Sequence, residues 1–504
     1  PSFPLLKYFS PQSPHQSLQT ENGLSITAMI AQVSQNAKSI SDIHLSFLVF
    51  SSELAKAYGQ TFSLQENLLE NLHEKGRPFS ISNQQSQTNT KFSTSRVFPA
   101  FSRKMCMEFA IGSAAKVLGP EFDIVDTYRS RVRLPDEPLM LVDRIVSVKG
   151  EKCSMETGQV VTEHDVTLDA WYLDGGSAPV SISMEAGQAD LFLCAYLGID
   201  HTVRGTRNYR LLDAAVTFHR HLPRPGGTIR YEIESERFVR QGDTYLFFFK
   251  YNAFIEKILF ITMRNGCAGF FTKEELQNSG GIVLSERDRS TAQGKRDPDW
   301  KEFVPLQAES YDDSGIEALR QGDISACFGA HFNGIEISDA LKLPGGRMKL
   351  INRVLKLDPI GGRFKLGLIQ AEADIHSDDW FLTCHFVDDK VMPGTLMYEC
   401  CSHALRIFLL RIGWITDRPD VGYGPVIGVK SFLKCRGPVT PDTKHARYDV
   451  EIKEIGYMPE PYVIADAHMF ADGHKIVFFQ DMSMKMNKLT RYDIESVWKK
   501  KRVL

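Results

Sequence analysis

The chain has 504 residues, of which 24% are charged and 43% hydrophobic, and its formal net charge is −3. This is the composition of ordinary soluble globular domains, and it lacks the basic excess that marks nucleic-acid binding. The length exceeds what one hydrophobic core can hold and predicts two to four folded units.

Residues 1–104 are predicted to be a partly helical N-terminal segment that ends in a linker. An amphipathic stretch runs from Ile26 to Tyr58, and residues 83–96 are rich in Ser, Thr, Gln and Asn, with Phe92 as their one large apolar residue. Such a segment buries too little apolar surface to fold alone. The chain starts at Pro1 without Met or an apolar leader, so we expect a piece of a longer cytoplasmic polypeptide.

Residues 105–275 are predicted to form a first domain around one buried helix. A short helix from Met107 to Gly119 comes first, followed by two strands. The segment Val180–Leu197 has apolar residues on nearly every face, which indicates a helix surrounded by its own domain. Alternating strands follow, and the apolar run Leu246–Thr262 is broken by three charged residues, which predicts paired strands and no membrane span.

A second domain with the same order of elements is predicted at residues 325–490. It contains an apolar helix from about Met392 to Ile412, with strands on both sides of it. The polar residues 276–324 are predicted to be a linker between the domains, and residues 491–504 a C-terminal linker.

The two domains are diverged copies of each other. Arg144 and Trp171, each within a run of similar residues, recur as Arg353 and Trp380 at one gap-free offset of 209 positions. Further upstream, an offset of 210 relates Gly119 and Phe122 to Gly329 and Phe332. The sequence therefore predicts two copies of one α+β fold, each about 150–170 residues long.

A cluster of chemically active residues precedes the helix of the second copy. His385 stands in a loop, Pro393-Gly394 opens the helix, and Glu399 lies 14 positions after the histidine. A helix that begins at Gly394 offers backbone N–H groups without partners and the positive end of its dipole. An imidazole and a carboxyl group nearby could each transfer a proton, so the pattern predicts proton abstraction next to a carbonyl group.

These residues resemble the hot-dog-fold 3-hydroxyacyl thioester dehydratases of fatty acid synthesis. The shared signature is His-Phe, then Met-Pro-Gly, then an acidic residue 14 positions after the histidine. The tandem arrangement is most similar to the dehydratase region of polyunsaturated fatty acid synthases or related polyketide-type megasynthases. The resemblance implies a double hot dog, in which two antiparallel sheets each wrap around a long central helix.

The first copy lacks the histidine. The interval from Trp380 to Glu399 is 19 positions, whereas the interval from Trp171 to Glu185 is 14, and the missing residues include the counterpart of His385. The first copy is therefore predicted to be a catalytically incomplete half.

The resemblance also implies how the site is assembled. In the family, the histidine of one hot-dog unit works with the acidic residue of the other, which pairs His385 with Glu185 here. Glu399 remains the second candidate for the acid, because the spacing alone does not say which glutamate faces His385. Gly394, with Pro393 before it, is expected to bind the thioester carbonyl, and Gln188 could orient the Glu185 carboxyl.

The resemblance implies no cofactor, since the substrate is carried on the phosphopantetheine arm of an acyl carrier protein. Acyl carrier protein and other domains of a multienzyme synthase are the expected partners, and the two copies form an internal pseudo-dimer that could dimerise further. No metal site is predicted: His219 and His221 have a ligand-like spacing, but no third ligand is evident. Two alternatives remain open, a hot-dog thioesterase and a non-catalytic scaffold that binds carrier protein.

Overall fold

The computed structural model describes residues 100–503, so the predicted N-terminal segment lies outside the described residues apart from its last five positions. The described residues belong to one compact unit. None of their helices combines the length and the apolar character needed to cross a membrane.

The first copy contains short helices and seven strands. Its helices are α1 (Arg103–Ile111), α2 (Ala115–Leu118), α3 (Val180–Glu185), α4 (Asp190–Tyr196), α5 (Ile199–Val203) and α6 (Lys273–Gln277). Its strands are β1 (Phe101–Ser102), β2 (Arg144–Lys149), β3 (Gly158–Asp165), β4 (Asn208–Phe218), β5 (Thr228–Gln241), β6 (Thr244–Ile255) and β7 (Ile258–Phe271).

The rest of the chain repeats this order after a short connection. The connection carries α7 (Glu286–Arg289) and β8 (Lys295–Arg296). The later helices are α8 (Asp313–Gln321), α9 (Ile324–Phe328), α10 (Trp380–Cys384), α11 (Gly394–Arg411) and α12 (Arg491–Val503). The later strands are β9 (Glu309–Tyr311), β10 (Arg353–Asp358), β11 (Leu368–Asp374), β12 (Gly422–Gly424), β13 (Lys430–Cys435), β14 (His445–Gly456), β15 (Tyr462–Ala471) and β16 (His474–Asn487).

The described strands form one sheet whose two halves mirror each other. The path runs β1-β2-β3-β5-β6-β7-β4 through the first copy and continues β13-β16-β15-β14-β11-β10-β9 through the second. The halves join where β4 pairs with β13 in antiparallel register, for example Phe432 opposite Ala215. The predicted double hot dog is confirmed, with the two copies side by side at this seam.

Side-chain contacts repeat with the same symmetry. The indole N–H of Trp171 donates to the carbonyl of Pro138, and that of Trp380 donates to the carbonyl of Arg347, at 3.0 and 2.9 Å. The two indole rings also contact each other edge to face, with centroids 4.9 Å apart. The residues that revealed the repeat in the sequence therefore lie at equivalent places and meet between the copies.

The second copy begins earlier in the chain than predicted. Helix α8 matches α1 at an offset of 210 positions, and the short strand β9 pairs with β10 as β1 pairs with β2. Both α8 and β9 lie inside the segment 276–324 that was expected to be a linker. The Asp312 side chain caps α8 by accepting the N–H of Gly315, and Ile316 and Leu319 bury its inner face.

The C-terminal segment 491–504 also differs from the prediction, since residues 491–503 form helix α12 instead of a linker. Ile494 and Trp498 are buried, and the Trp498 indole donates to the carbonyl of Gly413 at 2.8 Å. The run of basic residues near the end favoured the prediction of a linker, although Ile494 and Trp498 bury this helix against the rest of the protein.

The long helix of the second copy was predicted correctly. Helix α11 has 18 residues, nearly all of them buried, and it begins directly after Pro393. Proline is suited to a helix start because it has no N–H to satisfy and a fixed φ. Apolar residues on every face let the sheet wrap the helix completely.

The helix predicted at Val180–Leu197 in the first copy is broken. It divides into α3 and α4, with residues 186–189 outside any helix. The phenol of Tyr231 donates to the carbonyl of Ser183, which a continuous helix would offer to the N–H of Gly187. That N–H turns instead to the carbonyl of Met184. The break places Glu185 at the C-terminal end of α3.

We expect Gly187→Ala to destabilise the protein. A Cβ atom at this position would lie 2.9 Å from a ring carbon of Tyr231 and 3.1 Å from one of Tyr251. Overpacking of this kind costs about 1–3 kcal/mol of the free energy of unfolding, measurable by urea denaturation. Gly345→Ala is the matched control, because nothing lies within 4 Å of a Cβ at that position. Equal stability of the two variants would contradict the close packing of the two tyrosine rings against Gly187.

Candidate active site

The His385 imidazole is held in one orientation by the loop between α10 and α11. Its Nδ1 lies 2.9 Å from the carbonyl oxygen of Val391, so Nδ1 carries a proton and donates it to that carbonyl. The lone pair of the neutral ring is then on Nε2. Burial lowers the pKa of His385 to about 4, so the ring is neutral near pH 7. The arrangement is that of a base whose accepting atom is Nε2.

Two ion pairs fix this loop to the first copy. Arg133 binds Asp388 at 2.6 Å, and Arg210 of β4 binds Asp389 at 2.5 Å. All four side chains are largely buried, so the pairs are less screened than surface ion pairs. The loop of the second copy is therefore positioned by residues of the first.

The Glu185 carboxyl of the first copy lies beside His385 of the second copy. Its Oε1 lies 3.9 Å from Nε2 of His385. Its Oε2 accepts a hydrogen bond of 2.5 Å from the hydroxyl of Thr395, in the first turn of α11. Burial raises the pKa of Glu185 to about 7, and the hydrogen bond from Thr395 partly opposes that rise. The carboxyl can therefore hold a proton at neutral pH.

Both groups face a cavity of about 1050 Å³, its open mouth included. Gly394 also lines this cavity, and a Cβ atom added there would meet nothing within 4 Å, so the backbone at the start of α11 faces open space. A smaller adjoining cavity shares five lining residues with the first, namely Gln188, Leu211, Gly394, Thr395 and Leu433. Together they form an apolar channel along the seam between β4 and β13.

Glu399 lies in a second pocket, whose lining does not include His385. Its Oε2 accepts the backbone N–H of Ser181 at 3.1 Å, and its Oε1 lies 3.5 Å from Nε2 of His403 and 3.7 Å from Arg406. Although burial raises its pKa, the nearby His403 imidazole, the Arg406 charge and the Ser181 N–H together lower it to about 2. Glu399 is therefore ionised and poorly suited to donate a proton.

The second pocket is organised as an ion cluster. Arg406 binds Asp174 of the first copy, and the Arg406 guanidinium also faces Glu399. Oxygen and nitrogen atoms of Asp174, Glu399 and His403 are close enough to share a metal ion. The guanidinium already supplies positive charge to both carboxylates, which weakens the case for a metal at this point.

The sequence did not single out three residues that shape the first site. The hydroxyl of Thr395 binds Glu185, whereas Gln188, which was considered for that role, lines the cavity. The phenol of Tyr209, another lining residue, donates to Asp190 at 2.6 Å. Burial raises the pKa of Asp190 to about 8. The position of Thr395 directly after Pro393-Gly394 could have indicated its role, whereas no local sequence pattern indicated Tyr209 or Asp190.

The comparisons with known proteins agree with the motif. Residues 343–480 match the family described as FabA-like domain. One component of the polyunsaturated fatty acid synthase of Thraustochytrium sp. is 34% identical over 407 residues, which are 79% of this chain and 27% of that protein. This chain therefore spans about a quarter of the length of that relative.

Solved structures give weaker likenesses. A trans-AT polyketide synthase dehydratase domain from Brevibacillus brevis is 10% identical, covers 70% of this chain and 100% of its own, and has a TM-score of 0.37. A protein assigned as an oleoyl thioesterase, from Lactobacillus plantarum, is 10% identical, covers 66% of this chain and 97% of its own, and has a TM-score of 0.35. Such values do not distinguish a dehydratase from a thioesterase.

The two glutamates should affect stability in opposite directions at pH 8. The pKa of Glu185 is raised from 4.5 to about 7, so its contribution to stability is full below pH 4.5 and is lost as the pH rises through 7. Glu185→Gln should therefore have a free energy of unfolding roughly 3 kcal/mol higher than that of the native protein at pH 8, and little higher at pH 5. The pKa of Glu399 is lowered, so its contribution is present above pH 4.5 and is lost as the pH falls through about 2.

Glu399→Gln should accordingly lower the free energy of unfolding by about 3 kcal/mol or more at pH 8, because Arg406 keeps its charge in a buried site. Urea denaturation at pH 5 and pH 8 measures both variants. A Glu185→Gln protein that is less stable than the native protein at pH 8 would contradict the burial argument.

Proposed function

Because the second copy is a FabA-like domain, we propose that this chain dehydrates 3-hydroxyacyl thioesters to 2-enoyl thioesters within a polyunsaturated fatty acid or polyketide-type synthase. One observation carries the proposal. A neutral imidazole with a free Nε2 and a carboxyl group able to stay protonated meet at 3.9 Å beside the start of a buried helix. Such a pair offers a base and an acid at the same pH.

The substrate enters as a thioester on the phosphopantetheine arm of an acyl carrier protein. The apolar channel along the seam accepts the acyl chain, and the Gly394 N–H donates to the thioester carbonyl. That donor, at a helix N-terminus, stabilises the negative charge that develops on the carbonyl oxygen. One such donor commonly lowers a barrier by about 3 kcal/mol. Glycine allows the carbonyl to approach the backbone closely.

Proton removal and loss of water then use the two copies together. Nε2 of His385 takes the Cα proton, the Cα–Cβ double bond forms, and the Cβ–O bond breaks. Glu185 gives its proton to the departing hydroxyl, which leaves as water. The products are the enoyl thioester, a protonated His385 and an ionised Glu185. Transfer of the histidine proton to Glu185, across the short distance between them, restores the starting state.

The second pocket takes no part in this chemistry. It contains no counterpart of His385, and its carboxylate, Glu399, is held ionised by Arg406 and its other partners. Residues 100–503 would then contain one dehydration site.

A thioesterase on the same fold is the alternative. It would need an ionised glutamate to activate water. The raised pKa of Glu185 opposes that role near neutral pH, and the Pro393-Gly394 helix start beside His385 favours the dehydratase. A non-catalytic scaffold would have no need to keep a protonated carboxyl next to a base in an apolar wall.

The expected setting is a multienzyme synthase in the cytoplasm, with acyl carrier protein and neighbouring catalytic domains as partners. The similarity to part of a synthase supports the multienzyme setting. All nine cysteines are free thiols, which suits a reducing compartment.

The reaction can be tested with a 3-hydroxyacyl thioester while enoyl thioester and free thiol are followed together. We expect enoyl thioester without release of thiol. Release of thiol would support the thioesterase, and neither product would support the scaffold.

His385→Gln and Glu185→Gln should each lower kcat by about 10²–10⁴-fold, because each removes one proton-transfer group. Glu399→Gln is the matched control and should retain kcat within a few-fold when assayed below its unfolding transition. Loss of activity in Glu399→Gln with normal activity in Glu185→Gln would reverse the assignment of the acid.

The pH dependence should have two limbs. The reaction needs neutral His385, present above a pKa of about 4, and protonated Glu185, present below a pKa of about 7. We expect kcat/KM to be level between these values and to fall about tenfold per pH unit above the upper one. A rate that rises through pH 7 would contradict the assignment of Glu185 as the acid.

A further inference from the structure

We propose that Thr395 is a positioning residue that decides which oxygen of Glu185 carries the acid proton. This inference rests on the proposed dehydratase function. Thr395 lines the cavity, and it would act there through the carboxyl group of the other copy.

The contact is buried and specific. The Thr395 hydroxyl donates to Oε2 of Glu185 at 2.5 Å, and the two residues are only 7% and 6% exposed. The other carboxyl oxygen, Oε1, is buried and has no hydrogen-bond partner among residues 100–503. The hydroxyl therefore makes the two oxygens of Glu185 inequivalent.

An oxygen that accepts the hydroxyl proton is poorly placed to carry a proton of its own on the same side. The acid proton of Glu185 is consequently favoured on Oε1. This is the oxygen that faces Nε2 of His385 at 3.9 Å, where the departing hydroxyl has to lie. The arrangement directs the acid toward the substrate before the substrate binds.

In the second pocket, the glutamate of the other copy is held without a hydrogen bond from a side-chain hydroxyl. Ser181 lies four positions before Glu185, as Thr395 lies four positions before Glu399. At that pocket the backbone N–H of Ser181, and not its hydroxyl, holds the glutamate of the other copy, at 3.1 Å. The Ser181 hydroxyl is buried and has no hydrogen-bond partner among the described residues.

Holding the glutamate by a side-chain hydroxyl leaves backbone N–H groups available at the start of α11. Because the Thr395 side chain holds Glu185, the backbone N–H groups of the first turn of α11 are not used for that purpose. They stay available for the thioester carbonyl at Gly394. The hydroxyl also stabilises the carboxylate that forms once the proton has left, since hydrogen bonds to a charged acceptor are strong.

The test compares Thr395→Val, which keeps the shape and removes the hydroxyl, with Thr395→Ser, which keeps the hydroxyl. We expect Thr395→Val to lower kcat by about 10–100-fold, the size expected for one hydrogen bond to a charged group. Its alkaline limb in the pH–rate profile should move to higher pH, because the bond that lowers the pKa of Glu185 is lost. Thr395→Ser should restore the position of the limb.

Ser181→Ala is the matched control at the second pocket, where the Ser181 hydroxyl has no partner within residues 100–503. It should leave both kcat and the limb unchanged. A purely structural role for Thr395 would lower stability and activity without moving the limb. An unmoved limb in Thr395→Val, or a Ser variant that behaves like the Val variant, would overturn the inference.

A second readout does not depend on turnover. Difference infrared titration of the carboxyl C=O band, assigned by its absence in Glu185→Gln, gives the pKa of Glu185 directly. We expect a higher value in Thr395→Val, or in Thr395→Ala if the Val variant does not fold. If the native protein formed no enoyl thioester, the proposed function would fail, and this titration would still decide the role of Thr395. An unchanged pKa of Glu185 in these variants would overturn the proposed role of Thr395.

Discussion

The candidate site depends on one electrostatic constraint, the burial of the Glu185 carboxyl group in an apolar wall where none of residues 100–503 pairs it with a cation. Burial makes the charged form of a carboxyl costly, so the group keeps its proton near pH 7. The same environment removes the charge from His385, whose ring orientation is set by the Val391 carbonyl. A neutral imidazole and a protonated carboxyl group therefore lie together because both are buried at the seam between the two copies. Neither copy alone contains the pair.

The two copies use equivalent glutamates in opposite ways. At the seam site, Glu185 has a single hydrogen-bonding hydroxyl and remains neutral. In the second pocket, Glu399 is surrounded by His403, Arg406 and a backbone N–H and is ionised. No described residue of the first copy takes the place of His385 here, and the imidazole that faces this carboxyl is His403 of the same helix, 3.5 Å away. The ion cluster with Arg406 compensates its charge, so the incomplete site stabilises the fold instead of straining it.

Much of this arrangement could be predicted from the sequence because it depends on local sequence patterns. The repeat and the long helix after Pro393 follow from residue spacing and apolar patterning, whereas the pairing of His385 with Glu185 was implied only by the family resemblance. The break after Glu185 could not be predicted, because a phenol from a distant strand, Tyr231, takes the carbonyl of Ser183. The start of the second copy was misplaced because its first helix has a polar outer face and follows a polar connection. Contacts between groups 210 positions apart, such as that of the Thr395 hydroxyl, leave no local pattern.

The most direct measurement is a crystal structure with a stable 3-hydroxyacyl pantetheine analogue bound. The thioester carbonyl should accept the N–H of Gly394, the Cα atom should lie beside Nε2 of His385, and the hydroxyl should lie on Oε1 of Glu185. An analogue bound in the pocket of Glu399, or one at the seam with its hydroxyl turned away from Glu185, would contradict the assembly of a single site from both copies.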